Sequence, residues 1–218
     1  MTAPRPGRRA TPPRERPRGD AGGTLSDPDL LTGRLFFAVP VPGPSRAPLE
    51  AAMPELERLL PAARFTASGG WHLTLAFLGQ VRAELADAVV RVGEASAAGA
   101  PPARLRLEGA GAFPNPRRAR VLWTGVAGEA DVLVRLAADL AEACRAGGLR
   151  FEERALVPHL TLARFGDPGP VPEAAVELVA AAAAAGRPWD ARELACYRST
   201  LTNRGARYRV VRTFPLGA

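Results

Sequence analysis

The sequence predicts an α+β fold with two pseudo-symmetric lobes, each an antiparallel or mixed sheet with outer helices, and a cleft between the lobes. Three observations predict this class. Short strand-like runs alternate with helical stretches from residue 33 onward, and the order of these elements repeats in the second half. The tetrapeptide His-Leu-Thr-Leu also occurs once in each half, at 72–75 and 159–162. The repeat is too long for a solenoid and indicates an internal duplication.

Residues 1–31 differ in composition from the rest of the chain. Prolines and arginines interleave there with very few apolar side chains, so the segment cannot offset the entropy lost on ordering. It is predicted to be a disordered tail, and residues 32–218 are predicted to form a single bilobal domain. No long apolar run marks a signal peptide or a membrane span, so a cytoplasmic location without membrane attachment is expected.

Five elements are predicted in the first half from the periodicity of apolar residues. Pro48 opens the first helix, which carries an apolar face spaced by three or four residues, and Gly79 closes the second strand. The glycines at 109 and 111 are interpreted as a turn at a strand end. In order, the elements are a strand at 34–39, a helix at 48–60, a strand at 72–78, a helix at 84–95 and a strand at 104–108.

The second half repeats this order and adds one strand. Glycines stop its first helix, and Gly186 with Pro188 stops its alanine-rich second helix. Cys144 and Cys196 form no C-x-x-C pair and are expected to be buried as small apolar residues. The elements are a strand at 118–126, a helix at 131–146, a strand at 156–164, a helix at 172–185 and strands at 193–201 and 207–214.

The repeated tetrapeptide contains both histidines of the chain. In a strand, residues two apart share a face, so His72 and Thr74 point one way and the two leucines point the other way. His159 and Thr161 follow the same rule. Two strands facing each other would offer two imidazoles and two hydroxyls to one cleft. Two imidazoles with ordinary pKa values near 6.5 can supply a base and an acid for a phosphodiester at neutral pH.

The net charge and the absence of metal-binding and ATP-binding motifs restrict the functions that the sequence predicts. The net charge is +7, and all 29 basic residues are arginine, which suits an anionic partner such as RNA or a nucleotide. Two histidines far apart, without neighbouring acidic ligands, predict no metal site and no cofactor. The chain has no phosphate-binding loop of the Walker A type, which argues against an ATP-driven ligase.

Several stretches around the two motifs are similar to the 2H phosphoesterase superfamily. The chain most closely resembles its RNA 2′,3′-cyclic phosphodiesterase branch, also known as 2′–5′ RNA ligase-like proteins. The resemblance covers about 34–216. The stretches are Arg-Leu-Phe-Phe-Ala-Val at 34–39, His-Leu-Thr-Leu-Ala-Phe-Leu-Gly at 72–79, Arg-Val-Leu-Trp-Thr-Gly-Val at 120–126, His-Leu-Thr-Leu-Ala-Arg-Phe at 159–165 and Tyr-Arg-Val-Val-Arg-Thr-Phe-Pro-Leu at 208–216.

The resemblance implies a metal-independent hydrolase that opens 2′,3′-cyclic phosphate ends of RNA or oligonucleotides to 2′-phosphates. A monomer is expected. The resemblance also implies that His159 acts as the base and His72 as the acid. The hydroxyls of Thr74 and Thr161 can donate to the non-bridging phosphate oxygens, where negative charge must be held in the transition state. Arg164 matches the family pattern and would be a charge clamp for the phosphate.

Strict alternation places Arg164 on the leucine face, so it reaches the cleft only if the strand bends or ends near Ala163. Phe77 has the same offset in the first motif and is expected either in the core or against a nucleobase. The same two roles stay open for four further aromatic residues: Phe36, Trp71, Trp123 and Tyr208.

Two other functions fit the same sequence. A non-catalytic module that binds RNA or nucleotides would use the histidines as donors to phosphate. Joining of 2′–5′ RNA ends without ATP, the reverse of phosphodiester hydrolysis, could also be the main activity. A binding module tolerates His→Gln with a modest loss of affinity, whereas a hydrolase loses roughly 10²–10⁴-fold in rate.

Overall fold

The structure is a computed structural model that describes residues 31–202 and 205–217. Apart from Leu31, the predicted tail lies outside the described residues, and the domain boundaries stay a prediction. The strands are β1 (Gly33–Pro40), β2 (Ala63–Phe65), β3 (His72–Val81), β4 (Ala103–Phe113), β5 (Ala119–Gly128), β6 (His159–Gly169), β7 (Trp189–Ala191), β8 (Glu193–Thr202) and β9 (Gly205–Pro215). The helices are α1 (Gly43–Leu59), α2 (Ala86–Ala98), α3 (Ala130–Ala146) and α4 (Glu173–Ala184).

The predicted α+β class is confirmed, and every predicted element is present. The helix α1 begins at Gly43, five residues before the predicted start, because Pro44 occupies its first turn, where a missing N–H costs little. The predicted turn at the glycines 109 and 111 is wrong, since both lie inside β4. Gly109, with a φ of 71°, is the extra residue of a bulge that lets β4 continue to Phe113.

All nine strands belong to one curled antiparallel sheet. The strand order is β7-β4-β5-β6-β3-β1-β8-β9, and β2 pairs with β6 beside this path. The order has a twofold pattern about the boundary between β3 and β6. Strands of each sequence half lie in the lobe of the other half, because β2 and β4 join β6 and β5, while β8 and β9 join β1. The lobes therefore do not coincide with the sequence halves, and the internal duplication stays a prediction.

The helices cover one face of the sheet. The helix α1 packs against α4, and α2 packs against α3, so the helix pairs repeat the same twofold pattern. The main hydrophobic core lies between these helices and the sheet, and the predicted burial of Cys144 and Cys196 is confirmed. The opposite face of the sheet carries a separate small cluster centred on Phe36 and Tyr197. That second face is left open by the helices and holds both tetrapeptide motifs.

Within the described ranges, no helix is both long enough and apolar enough to cross a membrane.

Candidate active site

The two motif strands meet at a single pair of leucines. Leu73 of β3 lies directly opposite Leu160 of β6, and both side chains are buried in the main core. Because the strands are antiparallel, this register sets His72 beside Thr161 and Thr74 beside His159. All four side chains project from the face opposite the two leucines. The four side chains therefore form one cluster, in which the imidazole of each motif lies beside the hydroxyl of the other motif.

Both imidazoles are held by the same local hydrogen bond. The Nδ1 atom of His72 lies 2.6 Å from the carbonyl oxygen of Gly70, and Nδ1 of His159 lies 2.7 Å from that of Val157. A carbonyl oxygen only accepts, so each Nδ1–H donates to the backbone two residues earlier. In a neutral ring this leaves Nε2 as the acceptor. The chain segment before each motif thus presents Nε2 as the atom that can exchange a proton.

His72 sits in an aromatic pocket formed by the first lobe. Its ring centroid is 4.7 Å from that of Phe36 and 5.0 Å from that of Tyr197, and Tyr208 presents its edge at 4.9 Å. Burial among these rings lowers the pKa of His72 to about 4, although the hydrogen bond to Gly70 acts in the opposite direction. The positive charge of Arg164 and the proximity of His159 lower this pKa further. His72 is therefore neutral at pH 7 in the free protein.

His159 occupies the corresponding place in the second lobe. Phe113 contacts its ring edge to face at 5.1 Å, and Trp123 lies 6.3 Å away. Burial lowers the pKa of His159 below its usual range against the hydrogen bond to Val157, and the charges of Arg154 and Arg164 lower it further. Both imidazoles are thus set to accept a proton when the site is empty.

A bulge in β6 brings Arg164 to the face of the histidines. Thr161 pairs with Trp123 of β5, but Leu122 pairs with Ala163, so Leu162 is the extra residue. Leu162 and Ala163 are consecutive and both fully buried, after which Arg164 is exposed. Strict alternation is therefore wrong beyond Thr161, and Arg164 shares a face with His159. Its charge acts on both imidazoles, which is consistent with this placement.

The first motif contains the same bulge at Leu75. Ala38 of β1 pairs with Thr74, and Phe37 pairs with Ala76. The shift places Phe77 on the open face, at the position equivalent to Arg164. Phe77 is partly exposed and packs against the small aromatic cluster instead of the main core. At this equivalent position, the first motif strand thus carries the aromatic ring of Phe77 and the second carries the guanidinium of Arg164.

The remaining aromatic candidates divide into structural and accessible residues. Trp71 is buried, and its indole N–H donates to Thr66 at 3.0 Å, so it is part of the core. Phe36 is 2% exposed and fills the cluster beside His72. Tyr208 and Trp123 are partly exposed on the open face. The indole of Trp123 packs so closely against Gly111 that a Cβ there would overlap the ring, which explains the glycine at that position.

A cavity of about 200 Å³ opens beside Thr74 and His159. Phe77 and Phe113 form its aromatic walls, and residues 152 and 154–157 also line it, including Glu152 and Arg154, which form an ion pair at 3.5 Å. Sequence analysis did not identify the segment 152–157, since it lacks regular secondary structure and its distance from Phe77 is set by tertiary contacts. One local signal was available, because the segment immediately precedes the second motif.

Among residues 31–202 and 205–217, no group of three or more His, Cys, Asp or Glu side chains is arranged to hold a metal ion.

This chain is similar in sequence to known proteins. Residues 67–203 match the family model described as the 2′-5′ RNA ligase superfamily. An RNA 2′,3′-cyclic phosphodiesterase from Geobacillus stearothermophilus is 31% identical over 193 residues, covering 86% of this chain and 58% of that protein. The protein of the same name from Thermus thermophilus is 34% identical over 201 residues, covering 84% and 90% respectively. The chain spans about half of a third relative of that name, from Aeropyrum pernix (53%).

Solved structures show the same fold. TT0787 of Thermus thermophilus superposes with a TM-score of 0.68 at 30% identity, over 84% of this chain and 98% of that one. E. coli LigT complexed with 3′-AMP superposes with a TM-score of 0.64 at 25% identity, over 86% of this chain and 99% of that one.

Proposed function

The chain belongs to the 2′-5′ RNA ligase superfamily, and on that premise we propose that it hydrolyses 2′,3′-cyclic phosphate ends of RNA to 2′-phosphates. Two imidazoles carry the proton transfers, and no metal takes part. One observation carries the proposal: the register of Leu73 with Leu160 puts both His-Thr pairs on one open face. The names of the relatives and the nucleotide in the LigT complex support the substrate class.

The chemistry requires one proton to be taken and one to be given. The base removes a proton from water, whose oxygen forms a bond to phosphorus, while the bond from phosphorus to the ribose 3′ oxygen breaks. The acid protonates that leaving oxygen, and the phosphate remains on the 2′ oxygen. The neutral tautomer with a free Nε2 suits the base directly. Because both histidine pKa values lie below 6.5 in the empty site, the acid must gain its proton as the substrate anion binds.

The resemblance to the family assigns His159 as the base and His72 as the acid. In this assignment, the phosphate anion has to raise the pKa of His72 from about 4 toward neutrality. The aromatic rings around His72 exclude water, so the anion and the imidazolium would interact in a medium of low polarity, where their attraction is strong. In the reverse assignment, His72 is the base and His159 the acid. The two assignments differ in which histidine protonates the leaving 3′ oxygen.

Three side chains are proposed to hold the phosphate. Thr74 and Thr161 each lie beside an imidazole and can donate to a non-bridging oxygen, and Arg164 supplies a positive charge on the same face. The adjoining cavity of about 200 Å³ suits the base of the terminal nucleotide. A cavity of about 150 Å³ lined by apolar side chains is known to accept benzene, so the space is sufficient for an aromatic ring.

The test is turnover of an RNA oligonucleotide with a 2′,3′-cyclic phosphate end in excess chelator, with the product located by nuclear magnetic resonance. We expect a 2′-phosphate and an unchanged rate in the chelator. A rate that collapses with the chelator would contradict metal independence. Binding without turnover would favour the non-catalytic module, and joining of ends in preference to hydrolysis would make 2′–5′ ligation the main activity.

A further inference from the structure

The two ends of the pseudo-symmetric site differ in how their arginines are paired. At the end formed by β6, Arg64 of β2 lies directly opposite Arg164. At the equivalent end of β3, the backbone N–H of Glu152 donates to the carbonyl oxygen of Phe77 at 2.9 Å. At this end Arg154 forms an ion pair with Glu152 at 3.5 Å, and the guanidinium of Arg34 lies 5.2 Å from the centre of the Phe77 ring, so both arginines already have a partner.

The arginine pair of Arg64 and Arg164 has no structural partner among the described residues. Both side chains are exposed, and neither forms an ion pair or a side-chain hydrogen bond within residues 31–202 and 205–217. Like charges directly opposite each other in an antiparallel ladder destabilise the pairing. By contrast, Arg104 of β4 has the carboxylate of Asp190 as its partner at 2.9 Å. An anion between Arg64 and Arg164 would relieve the repulsion.

We propose that Arg64 binds the phosphodiester that lies on the 5′ side of the terminal nucleotide, while its neighbour Arg164 holds the reacting phosphate. This inference rests on the proposed function and names its substrate class, an oligonucleotide chain instead of a cyclic mononucleotide. Arg164 lies close enough to the imidazoles to act on both, whereas Arg64 is one strand further out. Directly opposite residues have Cβ atoms about 4.5–5.5 Å apart, so the two guanidiniums can hold successive phosphates.

The end of the site beside Phe77 indicates the direction in which the bound RNA chain runs. A phosphate that leaves the site over Phe77 would have to compete with Glu152 for Arg154 and with the Phe77 ring for Arg34, whereas Arg64 and Arg164 have no such partner among the described residues. That end also opens into the cavity between Phe77 and Phe113, whose two aromatic walls suit a base. The RNA chain therefore leaves over the arginine pair, and the terminal base lies toward Glu152.

The experiment compares a trinucleotide and a mononucleotide, both with a 2′,3′-cyclic phosphate, in wild type, Arg64→Ala, Arg64→Lys and Arg91→Ala. Arg91 is an exposed arginine of α2 on the helical side and serves as the matched control. The readout is the kcat/KM for the trinucleotide divided by the kcat/KM for the mononucleotide. We expect Arg64→Ala to lower this ratio about tenfold, since loss of a charged hydrogen bond to phosphate costs a factor of this order. Arg91→Ala should leave the ratio unchanged.

Salt dependence and binding give two further readouts. The slope of log kcat/KM for the trinucleotide against log salt should fall by about 0.7 in Arg64→Ala, as expected for one lost phosphate contact to a single strand. Arg64→Lys should keep most of that slope. Affinity for the trinucleotide 2′-phosphate, measured without turnover, should fall about tenfold in Arg64→Ala, in parallel with the ratio.

Each remaining outcome is decisive. If both substrates are hydrolysed and the ratio, slope and affinity do not change in Arg64→Ala, the inference is overturned while the proposed function stands. If the wild type hydrolyses neither substrate but binds the trinucleotide through Arg64, the proposed function fails and the inference is supported. A lower Tm in Arg64→Ala with equal losses on both substrates would assign Arg64 a structural role and overturn the inference.

Discussion

Leu73 and Leu160 face each other across the boundary between the two lobes, and this pair aligns the two motifs. Each leucine follows a histidine and precedes a threonine, so a slip of one residue would move every polar side chain of one motif into the core. The burial of both leucines makes such a slip costly. The chemistry proposed for the open face therefore depends on apolar packing on the other face.

Protonation of His72 should weaken the fold as the pH falls. Its pKa is about 4 in the folded protein and near 6.5 when unfolded, so the unfolded chain binds the proton more tightly between these values. The stabilisation is fully present above pH 6.5 and is lost as the pH falls toward 4. We expect on the order of 2 kcal/mol, measured by urea unfolding from pH 7 to 4.5.

Carboxylates also titrate in this range, so the His72→Gln protein is the control. Between pH 7 and 4.5, the unfolding free energy of this variant should fall by about 2 kcal/mol less than that of the wild type. Identical pH dependence in the two proteins would show that His72 is not buried as a neutral ring.

Removal of the Arg164 charge should raise the pKa of both histidines. The guanidinium lowers both values, and the chain has only two imidazoles, so each gives a separate signal in a proton magnetic resonance titration. We expect upward shifts for both signals in Arg164→Ala and a loss of about 10²-fold in kcat/KM, as for other lost donors to a developing charge. Arg164→Lys should keep the pKa values but lose much of the rate. A shift confined to one histidine would place Arg164 outside the shared site.

Gly111→Ala should displace Trp123 from the face beside His159. A Cβ at this position overlaps the indole, which has to move or tilt. We expect a loss of about 1–3 kcal/mol in the free energy of unfolding, typical of overpacking, together with weaker binding of substrate. Gly166→Ala is the matched control, because a Cβ on this glycine of β6 meets no atom within 4 Å. Equal stability of the two variants would contradict the close contact of Trp123 with β4.

The acid can be distinguished from the base by changing the leaving group. A cyclic substrate with sulfur in place of the 3′ oxygen releases a thiolate, which needs no proton because thiols are far more acidic than alcohols. With His72 as the acid, His72→Ala should recover most of its lost rate on this substrate, and His159→Ala should not. Recovery by His159→Ala alone would reverse the assignment.

Much of the site could be predicted because its geometry is local. A period of two places His72 and Thr74 on one face, and the same holds for His159 and Thr161, without knowledge of tertiary contacts. The order of strands and helices also follows from periodicity. The pairing of β3 with β6 was expected only as two strands facing each other, and the structure supplies the register at Leu73 and Leu160.

The parts that could not be predicted depend on contacts between distant segments. The bulge at Leu162 has no marker such as glycine in the sequence, yet it decides the face of Arg164. Strands β2 and β7 are three residues long, too short to show a period. Arg64 lies on one of them, so its position opposite Arg164 could not be inferred from the sequence. The exchange of β4 and β8 between the lobes likewise leaves no local signal.

The central claim is that two histidines carry the reaction, and the most direct measurement is the single-turnover rate of cyclic phosphate hydrolysis. Wild type, His72→Gln, His159→Gln and the double variant would be compared in chelator, with near-ultraviolet circular dichroism and trinucleotide affinity as controls for folding and binding. We expect each single variant to lose about 10²–10⁴-fold in rate, with near-wild-type affinity, and the double variant to lose little more. A single variant that turns over at the wild-type rate would contradict the two-histidine mechanism.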